Sequence, residues 1–510
     1  QHTYDRESLG SEFWDDPMPW LKKACELAEQ NEDELNLYSV MEGSRQARTF
    51  VDMEIYQEAV GLWSELAEKN PSHHENLSLL LTNKAAIHKR LQDLDGALEL
   101  FLLASKHMKK ALNQPGSTVK FSQLAICLNN IGRTYKDMGN LEKARHYYDQ
   151  AIQCFDNTDQ KTLDNTDLQR GGLLYMNRAN TLYMEQDYSG AIPYYDGALA
   201  LFESVPQSEH DESIRSNLAH LYMNKATTMI YMDEPDESRQ LFRKAIQLME
   251  YIVYETKRMG MLITLANCYS NLSIIERNTG KYEDAIELSQ KAIGIATRQV
   301  NEQGQTERLD FLAACHMHKA NHEYAAGMYA DARDSYQYCL GLFQELVYKQ
   351  NRLDMTRGLA RLYLCLGMNS EALKDSAAAH GHYDDALKVI STLLEDGQKY
   401  FLPLQAVVMR NKAMLYHGQG EDALALEFAE KAHAAREQAA DLSNQELDKT
   451  DHAVISGVRA ICLFTVSQVE EARNIATRAM QVLNAIPEGK MDTLTLRVCT
   501  ELGEIIGKQG

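Results

Sequence analysis

The sequence lacks long apolar runs and contains few helix-breaking prolines. No stretch approaches the roughly 20 uncharged apolar residues that a membrane-spanning helix needs, and no basic-then-apolar signal segment opens the chain. These absences predict a protein with no membrane partner. Only 9 of the 510 residues are proline, so most of the chain is free to form helices.

Positive charge is also scarce. Lys and Arg number 52 against 73 Asp and Glu, which gives a formal net charge of −21. This imbalance argues against nonspecific binding to nucleic acid, because phosphate contacts need clustered cations. The composition therefore predicts no nucleic-acid partner.

The cysteine pattern does not indicate a disulfide framework. Nine cysteines are scattered along the chain, whereas disulfide-built domains carry an even number in a short sequence. Cys127, Cys268 and Cys315 are separated by multiples of 47 residues, which indicates equivalent packing positions. We expect a reducing, cytoplasmic location.

Motifs of common catalytic sites are missing. The sequence has no G-x-x-x-x-G-K-[ST] phosphate loop, no G-x-S-x-G elbow, no H-E-x-x-H and no G-x-G-x-x-G. Paired carboxylates are numerous, but they fall on the solvated faces of expected helices. The sequence therefore predicts that the chain is not an enzyme and holds no cofactor.

What the sequence does contain is a strict repeat. A small residue recurs every 47 positions within a similar frame of residues, at Ala97, Ala144, Ala191, Ser238, Ala285 and Ala332. A fixed period of this size indicates stacked supersecondary units rather than one globular core.

Each unit is predicted to be two helices. Apolar residues three or four apart mark a first helix from Thr118 to about Asp137, and Gly139 ends it before a second helix begins near Leu141. Similar frames at Ala59, Ala386, Ala423 and Ala472 raise the total to about ten antiparallel hairpins, with spacings of 38, 54, 37 and 49 residues at the two ends. The fold class is therefore all-α, an α-solenoid.

We predict three segments. Residues 1–48 form an N-terminal helical cap and a first helix, residues 49–350 a regular array, and residues 351–510 irregular repeats with a C-terminal capping helix. The first residue is Gln1 rather than Met, so the alternatives are a fragment with a fused or bound effector domain, a processed form, or a trimmed sequence.

The repeat resembles the tetratricopeptide repeat family. The residues that carry this resemblance are Leu128, Ile131, Gly132, Tyr135, Gly139, Ala144, Tyr148 and Ala151. The family's usual unit is 34 residues, so a 47-residue unit implies helices longer by about two turns each. Lengthened units also occur in kinesin light chain type repeats. The resemblance implies a superhelix whose concave groove, built from the first helices, binds a peptide or a partner segment.

Polar residues form a column in the first helices. Each lies two positions before a small residue of its own helix, which is Gly132 in the unit described above. The column, which we call the asparagine column, contains Asn83, Asn130, Asn177, Asn224, Asn271 and His318, each 47 residues apart, and we extend it to Asn411. Asn is a poor residue for the middle of a helix, and its amide matches the unpaired backbone of an extended peptide. The alternative is that each Asn bonds a neighbouring helix.

Basic residues follow several members of the column. In co-chaperone repeats such residues clamp a terminal carboxylate, so the resemblance adds Arg178 and Lys225, with Arg133 as a further candidate. The alternative is that their stems pack beside the helix seam.

Two further hypotheses come from the sequence alone. Cys315, His318 and His322 share one helix face, as metal ligands do, but two of them occupy repeat positions, so we predict no metal site.

For function, we predict a non-catalytic scaffold that binds an extended peptide or partner segment in its groove. The alternative is a regulatory arm of a larger NTPase or protease.

Overall fold

The computed structural model describes residues 49–257, 261–301, 308–442, 449–486 and 491–507, and every regular element in these ranges is helical. The chain divides into two compact units, residues 1–259 and 260–510. The first unit contains α1 (Thr49–Lys69), α2 (His74–Arg90), α3 (Leu94–Leu112), α4 (Phe121–Asp137), α5 (Leu141–Asp156), α6 (Asn165–Met184), α7 (Tyr188–Glu203), α8 (Glu212–Tyr231) and α9 (Pro235–Glu250). The second contains α10 (Leu262–Asn278), α11 (Tyr282–Asn301), α12 (Leu309–Ala325), α13 (Tyr329–Gln344), α14 (Thr356–Ala372), α15 (Ser376–Glu395), α16 (Leu402–Gln419), α17 (Asp422–Leu442), α18 (Lys449–Thr465), α19 (Val469–Leu483) and α20 (Thr493–Gly507).

The helices pair into antiparallel hairpins. The first unit has four, from α2–α3 to α8–α9, and the second has five, from α10–α11 to α18–α19. Helix α1 packs against α2, and α20 packs against both helices of the last hairpin. The predicted all-α solenoid is confirmed, with nine complete hairpins among the described residues. The predicted segment 1–48 lies outside them.

One residue with a left-handed backbone closes the turn inside each hairpin. These residues are Gln92, Gly139, Gln186, Asp233, Gly280, Gly327, Lys374, Gly420 and Ser467. Their spacing is 47 residues throughout, except for one step of 46 between Lys374 and Gly420. The next residue often caps the second helix, as Asp187 does by accepting a hydrogen bond from the Gly190 N–H at 2.9 Å.

The regular spacing of these turn residues corrects the irregular spacing of the repeats that was inferred from the sequence after residue 350. The residues equivalent to Ala332 are Ala379 and Ala425, both fully buried, and the steps to Ala472 are therefore 47, 46 and 47. Ala386 lies seven positions further along its helix, and Ala423 is exposed. The error arose because small residues occur twice on the same helix face, one above the other.

The left-handed turn residues lead to a prediction about stability. Gln186 adopts φ 65° where Gly139 adopts φ 78° in the equivalent turn. Because a Cβ is strained in this region, Gln186→Gly should raise the free energy of unfolding by about 0.5–1 kcal/mol. Gly139→Gln is the matched control and should lower it by a similar amount. Urea denaturation followed by circular dichroism would measure both, and shifts of the same sign would contradict this explanation.

Small residues allow the two helices of each hairpin to approach closely. Ala144 and Ala151 are fully buried, as are their equivalents in the neighbouring hairpins. The ring of Tyr148 lies against Gly132, where a Cβ would come within 2.7 Å of a ring carbon. Gly367 and Tyr383 repeat this contact in the second unit. These contacts fix the orientation of the first helices, and thus of the asparagine column.

The added length of the unit is shared between helices and linkers. Helices α4 to α9 have 16 to 20 residues. Linkers of eight residues, 157–164 and 204–211, join one hairpin to the next. The 47-residue unit therefore contains an eight-residue linker beside its two helices.

Candidate peptide-binding face

Consecutive first helices contact each other within each unit. In the first unit these are α2, α4, α6 and α8, and in the second α10, α12, α14, α16 and α18. The asparagine column lies at these contacts. The side that carries it is called here the first-helix face.

Three members of the column bond the preceding first helix. Asn177 Nδ2 donates to Asn129 Oδ1 at 2.9 Å, and Asn224 Nδ2 donates to the Oδ1 of Asn180 at 3.0 Å. In the second unit, His318 Nδ1 lies 2.7 Å from Ser270 Oγ. These bonds favour the structural alternative for these three residues, since they tie one repeat to the next.

Other members have no such partner. The side chains of Asn83, Asn130 and Asn271 are half-buried, and within the described ranges they make no side-chain hydrogen bond. A half-buried amide without a protein partner is an available donor and acceptor. The amides of these residues are therefore available for hydrogen bonds to an extended peptide backbone, as the sequence-based hypothesis requires.

Asn411 occupies the column position in α16, but it is buried. Its Oδ1 accepts a hydrogen bond from Arg410 Nε at 3.1 Å, and its exposed fraction is 5%. In α14 and α18 the equivalent positions hold Cys365 and Val458. The column is therefore polar in α2 to α12 and mixed in the later first helices.

The basic residues Arg178 and Lys225 are paired with acidic residues of the preceding second helices. Arg178 Nε lies 2.6 Å from Asp149 Oδ1, and its guanidinium stacks over the ring of Tyr194. Lys225 Nζ lies 2.8 Å from Asp196 Oδ1. Because the residue after the column is rotated by about 100° around the helix, these cations point toward the second helices rather than along the column.

The same contact recurs in other repeats. Lys412 pairs with Asp384, and Lys84 donates a hydrogen bond to the uncharged amide oxygen of Gln57. A carboxylate ligand would have to displace these partners. The structure thus favours an architectural role for Arg178 and Lys225 over the clamp that the resemblance implied.

Arg133 behaves differently. It is exposed on the first-helix face three residues after Asn130, and no ion pair to it occurs in the described part of the chain. Lys136 in α4 and the exposed Arg170 in α6 also lack a carboxylate partner there. Burial lowers the pKa of Lys136, and the nearby cations Arg133 and Lys89 add to this while Asp137 opposes it. The face of α4 and α6 therefore carries unneutralised positive charge.

The sequence reasoning missed a second polar position, three residues after the column. Asn180 Oδ1 accepts from both Tyr195 OH (2.8 Å) and Asn224 Nδ2, and Asn321 Oδ1 accepts from Tyr336 OH at 2.7 Å. The available signal was the interval of 141 residues, three periods, between the two asparagines and between the two tyrosines.

The histidines near Cys315 are also part of the repeat packing. His322 is fully buried, and its Nε2 lies 2.9 Å from Ser273 Oγ. His318 bonds Ser270 as described. Across the residues that the structure describes, no group of three or more His, Cys, Asp or Glu side chains could hold a metal ion. Among those same residues, no helix has the length and apolar character to cross a membrane.

Hairpins repeated at a fixed interval, with first helices in mutual contact, define the helical-repeat class of proteins. One tetratricopeptide repeat model matches residues 124–155 and 265–302, and a second matches residues 371–440. The chain therefore contains tetratricopeptide repeats in these segments.

Solved structures of similar fold share little sequence with this chain. Aspartyl phosphate phosphatase F from Bacillus subtilis is 15% identical, with a TM-score of 0.44, over 81% of this chain and 95% of that one. BtubC (BKLC) from P. vanneervenii is 15% identical, with a TM-score of 0.41, over 50% and 94%. Kinesin light chain TPR-like repeats from Podosopora anserina are 14% identical, with a TM-score of 0.36, over 45% and 98%. No curated protein matches the sequence.

Proposed function

We propose that the chain is a non-catalytic scaffold that binds an extended segment of a partner protein on the first-helix face of its first unit. The observation that carries this proposal is the pair of unpartnered amides at Asn83 and Asn130, one period apart on consecutive first helices. Packed helices lie about 8–10 Å apart, and an extended chain rises about 3.3 Å per residue. A segment crossing these helices would therefore meet one amide about every three residues.

The charge of this face supports an acidic partner segment. Arg133, Lys136 and Arg170 have no carboxylate partner among the described residues, although the chain as a whole has a net charge of −21. A positive patch on a negative protein attracts acidic segments there and repels them elsewhere, which gives specificity.

Asn130→Ala tests this function. We expect the substitution to weaken binding of an extended peptide about five- to tenfold, because one charge-free amide contact contributes roughly 1 kcal/mol, and to leave the unfolding free energy nearly unchanged. Peptides would be selected from a random phage-displayed library against the intact chain, and fluorescence polarisation would measure the affinity of each variant.

Asn177→Ala is the matched control. Its amide bonds Asn129 at 2.9 Å, so this variant should lose stability by roughly 1 kcal/mol. Arg133→Gln should weaken acidic peptides selectively. Unchanged affinity in both Asn130→Ala and Arg133→Gln would show that the peptide binds elsewhere.

Three other sequence-based hypotheses stay predictions. They are the absence of catalysis, the cytoplasmic location and the fused or bound effector domain. Cell fractionation, and mass spectrometry of proteins that co-purify with the chain, would address the last two.

A further inference from the structure

A cavity of about 690 Å³ lies in the first unit, away from the asparagine column. It is bounded by the linker between α7 and α8, by α8 and α9, and by a π-helical turn, Tyr251–Glu255, that continues α9. Leu218 and Leu248 form an apolar part of its lining, and Gln207 and Gln247 contribute amides.

Two cations enter this cavity, each above a tyrosine ring. The Arg215 guanidinium carbon lies 4.9 Å from the centre of the Tyr251 ring, and Lys244 Nζ lies 5.4 Å from the centre of the Tyr222 ring. Neither cation has a carboxylate within ion-pair distance in the described part of the chain. Glu203 is the one acidic residue of the lining, and together with burial it raises the pKa of Tyr222.

The π-helical turn explains how Tyr251 reaches the cavity. Ile252 and Val253 are consecutive residues and both are buried, whereas Tyr251 is 45% exposed. The wider turn of a π-helix accommodates this sequence, and an equivalent turn, Glu345–Lys349, occurs two periods later.

The cavity is a property of this repeat rather than of the general unit. One period earlier, Leu168 stands in place of Arg215, and Gly197 in place of Lys244. There the equivalent ring, Tyr175, lies against Gly197, where a Cβ would come within 2.7 Å of it. The earlier repeat thus has neither cation, and its tyrosine ring fills the space.

We propose that this cavity binds a small organic anion with a flat apolar body, such as an aromatic carboxylate. The anionic group lies between Arg215 and Lys244, which it neutralises. The flat body packs against the rings of Tyr222 and Tyr251 and against Leu218. Cations held above aromatic rings can still form charge-assisted hydrogen bonds with such a group. This site is independent of the first-helix face.

The probe is 2-naphthoate, with uncharged 2-naphthamide as the matched ligand, and calorimetric titration of the full chain as the measurement. We expect the wild-type chain to bind naphthoate and to bind the amide at least tenfold more weakly. Arg215→Gln and Lys244→Gln should each weaken naphthoate about tenfold, since a hydrogen bond to a charged group is lost. Glu203→Gln should strengthen it, because a repelling charge is removed.

Lys291→Gln is the matched protein control. Lys291 occupies the position of Lys244 one period later and lies over Tyr269, at 5.9 Å from the ring centre, but it does not line the cavity. Its substitution should leave naphthoate affinity unchanged. Absence of naphthoate binding by the wild-type chain, equal binding of the amide, or unchanged affinity in both cation variants would overturn the proposal. Circular dichroism would verify that each variant is folded, and the two cation variants test the site separately.

Discussion

Gly132→Ala should lower the free energy of unfolding by up to about 2 kcal/mol, even though Ala normally favours a helix over Gly. The new Cβ would come within 2.7 Å of the Tyr148 ring, and that ring is fully buried, so it has no space into which to move. Overpacking of a dense interior costs about 1–3 kcal/mol, and the gain in helix propensity offsets up to about 1 kcal/mol of this cost. Urea denaturation of the full chain would measure the change.

Gly294→Ala is the matched control. Gly294 also lies inside a helix, but no atom lies within 4 Å of its ideal Cβ. This substitution should stabilise the protein by roughly 0.5–1 kcal/mol. Opposite signs for the two variants would show that packing, rather than propensity, requires glycine at residue 132.

A second substitution should rescue the first. In the next repeat, Ala179 is tolerated at the equivalent position, and there Tyr195 OH donates to Asn180 at 2.8 Å. Tyr148 OH, in contrast, is buried without a partner in the described residues, because Arg133 stands in place of Asn180. Gly132→Ala combined with Arg133→Asn should therefore be less destabilising than Gly132→Ala alone. Additive effects would refute this coupling.

The repeat itself could be predicted from the sequence because packing imposes it at every unit. Ala144 and its equivalents must be small wherever a second helix meets a first helix, so the period is visible without a structure. The anchors failed after Ala332, where small residues at Ala379 and Ala386 share a face. The positive φ of Gln186 and its equivalents established the register of the later repeats. Five residue types occur at this turn position, so the position cannot be recognised from the sequence.

The asparagine column shows the limit of the same reasoning. Identical residues at identical positions have different partners: Asn177 bonds Asn129, whereas Asn130 bonds no side chain in the part of the chain described. The difference depends on the residue one helix earlier, which is Asn129 for one and Thr82 for the other. The 47-residue period therefore does not determine which side chains of adjacent repeats form hydrogen bonds with each other. For the same reason, the ion pairs of Arg178 and Lys225 became visible only in the structure.

Lowering the pH from 7 to 5 should destabilise the protein by about 2–4 kcal/mol through two histidines of α12. Burial, with Arg277 nearby, lowers the pKa of His318 to about 4. Burial, with Arg277 and then His318, lowers the pKa of His322 to about 3. Both imidazoles are therefore neutral in the folded chain at pH 5, whereas they become protonated in the unfolded chain below about 6.5.

The sign of the effect follows from proton binding. At pH 5 the unfolded state binds more protons than the folded state, so stability rises with pH in this range. The contribution of these histidines is fully present above pH 6.5 and is lost progressively as the pH falls from 6.5 toward 3. Ser270 and Ser273 bond the two rings, and neither can compensate a positive charge.

The variant that tests this effect replaces both histidines, as His318→Asn and His322→Leu. Asn restores the residue that the column carries in earlier repeats, and removal of His322 leaves Ser273 Oγ bonded to the carbonyl of Ser270 at 2.6 Å. Urea denaturation at pH 7 and pH 5 should give a smaller loss for this variant than for the wild type, by about 2–4 kcal/mol. His146→Asn, at an exposed histidine of α5, is the control and should behave as the wild type does. An equal loss in all three proteins would assign the pH dependence to other groups.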